Sequence, residues 1–446
     1  MLLSLVLIQK LYIGCALGLL VFLAHFLLGK VPLSYNVRNL SLRWKTTAMT
    51  ALAFTLVMGL LTVMLAFVNG MYLLTISSGQ PGNVMILADG STDESFSSLG
   101  YSDIGDIENQ EGILHEGEQP LVSRETYLNV NQPIENPKPG RPNRRFVQLR
   151  GVNDPVLAGR VHGLSLYDGG TWFSDAGVEE AGEGMSLIQV VLGEGVARVM
   201  AGDRTDEQRR SAKDPNRLQV GDTFSLGGRQ WIVKGLLKSA GSTFDSEVWA
   251  KQSLVGPMFG KIASSTLVAR TAGPDEAQKL KDFLAKEYKK SAVNPQVETK
   301  YFENLSATNT QFLYAIAVVA GVMAVGGMFG VMNTMFAAIS QRKTDIGVLR
   351  LLGFTRSQVL LSFLMESMVI ALVGGIIGIA VGSLSHGLST TSVVSGGGGG
   401  KSVVLKLVVD QTIIAATLAA TLAMGFFGGF IPALSAMRFK PLDTLR

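Results

Sequence analysis

Charge is what this 446-residue chain has little of: 17% of its residues are Asp, Glu, Lys or Arg, against about 25% in soluble domains. With 47% hydrophobic residues, the chain is too apolar to be disordered throughout. Cysteine is scarcer still. Cys15 stands alone, so no disulfide can close within the chain, and it reads as a small residue of an apolar segment. Four histidines, His25, His115, His162 and His386, lack metal-ligand spacing and read as structural or surface groups. Neither a catalytic constellation nor a metal or cofactor site is assigned.

The missing charges leave four long gaps. Ala48–Leu74, Phe312–Ile339 and Gln411–Met437 carry none, and Gln358–Leu384 carries one, Glu366. A bilayer core of about 30 Å needs roughly 20 apolar residues in a helix, so each gap predicts a membrane span. A fifth apolar segment, Leu11–Gly29, lies between Lys10 and Lys30. It reads as a span, a signal-like segment or an interfacial anchor. The span is favoured, because the n-region is weakly charged and no small-residue cleavage site precedes Lys30.

Basic residues beside the spans orient the chain. Arg38, Arg43 and Lys45 precede the first long span. Arg342, Lys343, Arg350 and Arg356 lie between the second and third, and Arg438, Lys440 and Arg446 follow the fourth. The positive-inside rule puts all three groups in the cytoplasm. Segment 76–310 and loop 385–410 are then outside, and alternation of the spans agrees. Segment 76–310 holds 25 basic and 31 acidic residues, so the chain's net +4 divides into −6 outside and +10 elsewhere. An acidic outer domain removes the case for nucleic-acid binding that a pI near 9.0 raises.

The outer segment mixes both kinds of element. Gly82–Ala88 reads as a strand, Asp89–Gly105 as a loop and Val130–Arg145, rich in proline, as a turn or linker. Leu218–Leu226 and Arg229–Leu237 flank Gly227-Gly228, a hairpin signal. Thr266–Arg270 is strand-like, and Glu276–Lys290 has helical apolar spacing. Pro295–Thr299 returns to strand, before a helical stalk over Tyr301–Thr310. Ser395–Ser402, SGGGGGKS, imitates a phosphate-binding loop. It begins with Ser, lies outside by this topology and has no βαβ context, so it reads as a flexible loop.

The cytoplasmic connection Ser340–Ser357, SQRKTDIGVLRLLGFTRS, has the spacing of a short amphipathic helix. Glu366, about two turns into the third span, should face protein or the cytoplasmic interface, because an ionised group in lipid is costly. A helix-packing or coupling role is favoured over a substrate or proton site. Gly374, Gly375, Gly378 and Gly382 favour close helix packing.

Three stretches carry a resemblance: Ala338–Gly382, the ending Ile431–Arg446 (IPALSAMRFKPLDTLR) and the lead-in Val31–Thr50. With the VGDTFSLGGRQWIVKGLL hairpin, they make the chain resemble the MacB/FtsX/LolC–LolE group of ABC-transporter permeases, the separate-subunit type without a fused ATPase domain. The extra N-terminal apolar segment and the glycine-rich external loop depart from that group. The resemblance implies a multi-pass α-helical membrane protein with a large α+β extracytoplasmic domain between the first and second long spans. Its parts would be an extra N-terminal segment (1–30), a cytoplasmic lead-in and span (31–75), the outer domain (76–310) and a three-span permease domain (311–446).

The resemblance also makes 342–352 the coupling helix. Arg342, Lys343 and Arg350 would be polar contacts, with Asp345 as an additional candidate, and Ile346, Leu349 and Leu352 apolar ones. The implied function is a permease that couples ATP hydrolysis on a separate cytoplasmic ATP-binding subunit to movement of the spans and outer domain. The implied partners are that subunit, a second permease in a homodimer or pair, a periplasmic adaptor and the lipid bilayer. The implied location is the bacterial cytoplasmic (inner) membrane. The alternative is a membrane-anchored regulator or scaffold of an extracytoplasmic enzyme.

Overall fold

The computed structural model describes residues 42, 44–134, 137, 143–182, 184–239, 241–305, 307–396 and 399–437. The Leu11–Gly29 segment, with Cys15 and His25, lies outside these residues, as do most of the lead-in and the final nine positions. The chain divides into two compact units. Of the described residues, one contains those up to Asn69, in Phe312–Leu388 and from Leu407 on; the other contains those in Gly70–Gln311 and Ser389–Lys406.

Four described helices are long and apolar enough to cross a membrane: Trp44–Leu74, Tyr314–Gln341, Arg356–Ser383 and Gln411–Ala436. In lipid a backbone must satisfy its own hydrogen bonds, and an apolar helix does so. Caps fix where the last two begin. Thr355 and Gln358 form a reciprocal capping box at the third span. Asp410 Oδ1 accepts the Ile413 N–H at the fourth (2.9 Å). With their cytoplasmic basic flanks, these helices make the chain an integral protein of the cytoplasmic membrane whose large domain is extracytoplasmic.

Glycine sets how closely the spans approach. A Cβ on Gly378 would lie 2.6 Å from the Thr55 carbonyl oxygen and 2.9 Å from Met58 Cβ. Gly374 and Gly382, one helical turn to either side, meet the first span as closely, and Thr55 Oγ1 donates to the Gly374 carbonyl (3.0 Å). Gly375 faces Thr421 of the fourth span, and Ser367 Oγ donates to the Gly425 carbonyl (3.0 Å). This small-residue stripe lets backbones touch where no hydrophobic effect drives helices together.

The outer unit is built on a ten-stranded mixed sheet. In chain order its strands are β1 (Asn83–Ala88), β2 (Val122–Pro133), β3 (Arg144–Val152), β4 (Val178–Ala181), β5 (Met185–Gly193), β6 (Thr223–Leu226), β7 (Arg229–Leu237), β8 (Glu247–Lys251), β9 (Thr266–Arg270) and β10 (Val293–Val297). Their spatial order is β10-β1-β9-β2-β3-β8-β5-β7-β6, with β4 paired to β5. β3 and β8 run parallel at the centre, Arg150 opposite Trp249. Pro295 is tolerated because β10 is an edge strand.

Hydrophobic clusters among the described residues pack along this sheet. β1 and β9 pack with helices Tyr101–Ile107 and Pro274–Lys286. β3, β5, β7 and β8 pack with helix Glu194–Ala201 around buried Trp231. The Gly-Gly hairpin forms as its sequence requires: Gly227 and Gly228 have φ of 60° and 73°, and Leu226 pairs with Arg229.

The structure changes three expectations. The proline-rich stretch after Val130 is partly strand, since β2 and β3 stay paired out to Pro133–Arg144. A helix begins at Tyr101, within the stretch read as loop. The segment read as a flexible external loop is an antiparallel hairpin, β11 (Ser389–Gly396) and β12 (Gly399–Lys406), and it belongs to the outer unit. Each strand carries a Val pair, Val393-Val394 and Val403-Val404, residues whose branched side chains favour extended backbone.

Candidate functional site

The segment between the second and third spans is a capped helix, Lys343–Leu351. The second span ends at Gln341. Arg342, with φ −111° and ψ 21°, breaks the helix there and turns the chain. Asp345 in the first turn and Arg350 in the last suit the helix dipole. At the far end Gly353 takes φ +95°, and its N–H bonds the Arg350 carbonyl while that of Phe354 bonds Leu349. These two bonds form a Schellman cap.

The break at Arg342 sets which residues face outward. Lys343, Asp345, Val348, Leu351 and Leu352 are exposed, the last at 71%. Leu349 and Arg350 are half-buried. Ile346 is buried in the core of the span unit with Phe363 and Val359. Arg342, expected as an outward polar contact, points inward instead. Its guanidinium clasps Glu366 at 2.7 and 2.8 Å, both groups buried, and lies 5.9 Å from the Phe363 ring. Glu366 thus faces protein, and the intramembrane carboxylate is neutralised by the residue that ends the second span. Arg342 and Ile346 hold the helix against the spans, while Val348 and Leu351, which the sequence reading did not single out, join its outer face. The signal was present: positions 348, 351 and 352 are spaced three and four apart.

A second polar assembly, buried in the outer unit, was not visible in the sequence. Arg150 has no exposed side-chain surface. Its Nε and Nη2 donate to the two carboxylate oxygens of Glu247 (2.7 and 2.8 Å), and Nη1 donates to Glu94 (2.8 Å) and Glu125. His162 donates from both ring nitrogens, Nε2 to Glu125 (2.7 Å) and Nδ1 to Glu298 (3.0 Å). Trp249 Nε1 donates to Glu247 (3.0 Å), and Tyr127 and Phe244 offer ring faces to Arg150. Burial alone would lower the His162 pKa, but Glu125 and Glu298 outweigh it and raise it to about 10. Burial would likewise raise Glu125, but His162 and Arg150 outweigh it and lower it to about 2. His162 and Glu125 are therefore both charged at neutral pH. Among the described residues no group of His, Cys, Asp and Glu has metal-site geometry.

The chain is similar to known proteins in two parts. Residues 47–286 match the MacB-like periplasmic core domain and residues 317–441 the FtsX-like permease C-terminal family. An uncharacterized ABC transporter permease of Methanocaldococcus jannaschii, MJ1507, is 28% identical over 236 residues, 51% of this chain and 58% of the relative. YknZ of Bacillus subtilis, another uncharacterized ABC transporter permease, is 26% identical over 51% of this chain and 57% of its own. The macrolide export ATP-binding/permease protein MacB of Burkholderia cenocepacia is 26% identical over 73% of this chain and 46% of the relative. The chain thus spans about half the length of the curated relatives it matches. Among solved structures, the periplasmic region of MacB from Actinobacillus actinomycetemcomitans aligns with 53% of this chain and 96% of its own, with a TM-score of 0.34 and 15% identity. With more than half of its length matching the MacB-like core domain and its last three spans matching the FtsX-like one, the chain belongs to the MacB/FtsX-like family of ABC-transporter permeases.

Proposed function

We propose that this chain is the permease subunit of an ATP-driven export or mechanotransmission complex. A separate cytoplasmic ATP-binding subunit docks on Lys343–Leu351, and its hydrolysis cycle moves the spans and outer domain. The observation that carries this reading is the helix itself. It is capped at its far end, anchored inward by Arg342 and Ile346, and leaves Val348, Leu351 and Leu352 exposed beside Lys343 and Asp345. An apolar patch with a charged rim suits a protein partner.

Two permease copies pair through the second span, whose central part is the least covered of the four. Tyr314, Val318, Val322, Val325 and Phe329 project from it, and Gly326 and Gly330 stand open one turn apart. The cargo is handled outside, with a periplasmic adaptor, and is a peptide, lipid or lipoprotein. The described spans offer no string of free polar groups for a hydrophilic pore. Glu366 is occupied by Arg342, and Asn69 donates to the Val408 carbonyl (3.1 Å) and to Asp410 (3.3 Å).

Co-purification with the cognate ATP-binding subunit in lipid nanodiscs tests the docking face. Leu351→Glu with Leu352→Glu should lower recovery of that subunit about tenfold or more, the effect of losing ~1.4 kcal/mol. Both side chains are exposed, so the permease's own melting temperature should not change. Undiminished recovery would refute the docking assignment.

A further inference from the structure

Within the outer unit, the segments that connect to the spans converge on the buried ionic assembly. Just after the first span, Ser78 Oγ accepts the Thr243 N–H (2.8 Å), and the Gln80 N–H and Asn83 Nδ2 donate to Glu298 Oε2 (2.8 and 2.9 Å). Glu298 opens helix Glu298–Leu305, which leads towards the second span. Between the third and fourth spans, the Val404 N–H of β12 donates to Ser246 Oγ (2.6 Å). Thr243–Ser246 is one buried 3-10 turn, and the next residue is Glu247.

These bonds close a ring. From Glu247 it passes through Arg150 to Glu125, then through His162 to Glu298. From Glu298 it returns by Gln80 and Ser78 to the 3-10 turn and Glu247. Backbone also meets backbone within it, since a Cβ on Gly79 would lie 2.7 Å from Thr299 Cα. Charged bonds shut away from water are short, directional and strengthened by the low local dielectric, so they resist sliding as apolar contacts do not. Arg150 and Glu247 stand on β3 and β8, the parallel central strands of the sheet.

We propose that this ring is the joint through which displacement of the span-connected segments is carried into the outer sheet, with Ser78 and Glu298 as its positioning residues. The proposal rests on the coupling function above.

Hydrogen-exchange mass spectrometry on the full permease with its ATP-binding subunit, in nanodiscs with and without ATP and vanadate, tests both levels. In the wild type, nucleotide should alter exchange in residues 144–152 and 247–251. Glu298→Gln keeps the side chain's shape and removes its charge. Ser78→Ala removes the first-span arm without touching any charge, and it carries the test should Glu298→Gln not fold. In either variant the subunit's ATP hydrolysis should stay within about twofold of wild type. The nucleotide-dependent change in exchange should fall about fivefold or more, the scale of a lost coupling. A wild type that shows no nucleotide-dependent change would refute the coupling function, and the joint with it. Variants that melt at a lower temperature yet keep the full response would overturn the joint alone, because that is the behaviour of a purely structural network.

Discussion

Replacing His162 by Gln tests the ionic assembly most directly. The side chain is fully buried between Glu125 and Glu298, and its removal leaves both carboxylates short of a positive charge. Breaking one partner out of a buried ion pair costs about 3–5 kcal/mol, which in a unit of this size lowers the melting temperature by about 6–20 °C. The pH dependence follows from the direction of each shift. The folded pKa of His162, about 10, lies above its ordinary 6.5. Its stabilisation is therefore complete below pH 6.5 and is lost as pH rises towards 10. Glu125 moves the other way, from 4.5 to about 2. Its contribution is present above pH 4.5 and disappears as pH falls towards 2. Wild-type stability from this pair should be flat between those windows and decline on both sides. Tryptophan fluorescence is a suitable assay: Trp172, Trp231 and Trp249 lie in the outer unit, and Trp249 donates to Glu247 within the assembly. Melts of full-length protein at pH 6 should separate wild type from His162→Gln, and the gap should narrow at pH 9.5. A loss under about 1 kcal/mol at pH 6, or an equal gap at both pH values, would refute the charged assignment.

Three further outcomes are expected. Gly378→Val should destabilise the span unit by about 1–3 kcal/mol through overpacking, whereas Gly321→Val, where nothing lies within 4 Å of the added Cβ, should be near neutral in the single chain; equal thermal shifts would contradict the packing. Glu366→Ala should cost about 3–5 kcal/mol by stranding Arg342, and the double variant with Arg342→Ala should recover much of it; a coupling energy near zero in that thermal-stability cycle would sink the clasp. A cysteine at Val220 in a Cys15→Ser background should react with a membrane-impermeant maleimide on intact cells; labelling only after the membrane is breached would reverse the topology.

The spans were legible because a bilayer demands one simple pattern, a long run without charge. The Gly-Gly hairpin and the helix beginning at Pro274 were legible because local turn chemistry and 3.6-residue spacing act within a few residues. The site was less so. Phase on the Lys343–Leu351 helix is set by where the preceding helix breaks, and a rotation there exchanges Ile346 for Val348 and Leu351 on the outer face. Arg342 reads as one more cytoplasmic cation until its partner, 24 residues away, is known. The ionic ring is more remote still: His162 and Glu298 are 136 residues apart, and Arg150 and Glu247 are 97 apart. The one local hint was Arg150 inside an otherwise mostly uncharged strand, FVQLRGV.

Stability alone does not account for either buried pairing, since well-packed apolar side chains of similar volume often serve a fold as well as or better than buried charges. What charges provide is a contact that cannot slip to a neighbour. Arg342 clasps Glu366 where the second span gives way to the cytoplasmic helix. Glu298 binds Gln80 and Asn83 where the chain has left the first span and is about to rejoin the second. Both sit at changes of chain direction, places where packed apolar surfaces would let one segment slide past another under a displacing force. The glycine stripe of the spans holds its helices by another means: backbones meet closely, and Thr55 donates to the Gly374 carbonyl and Ser367 to that of Gly425 where they touch.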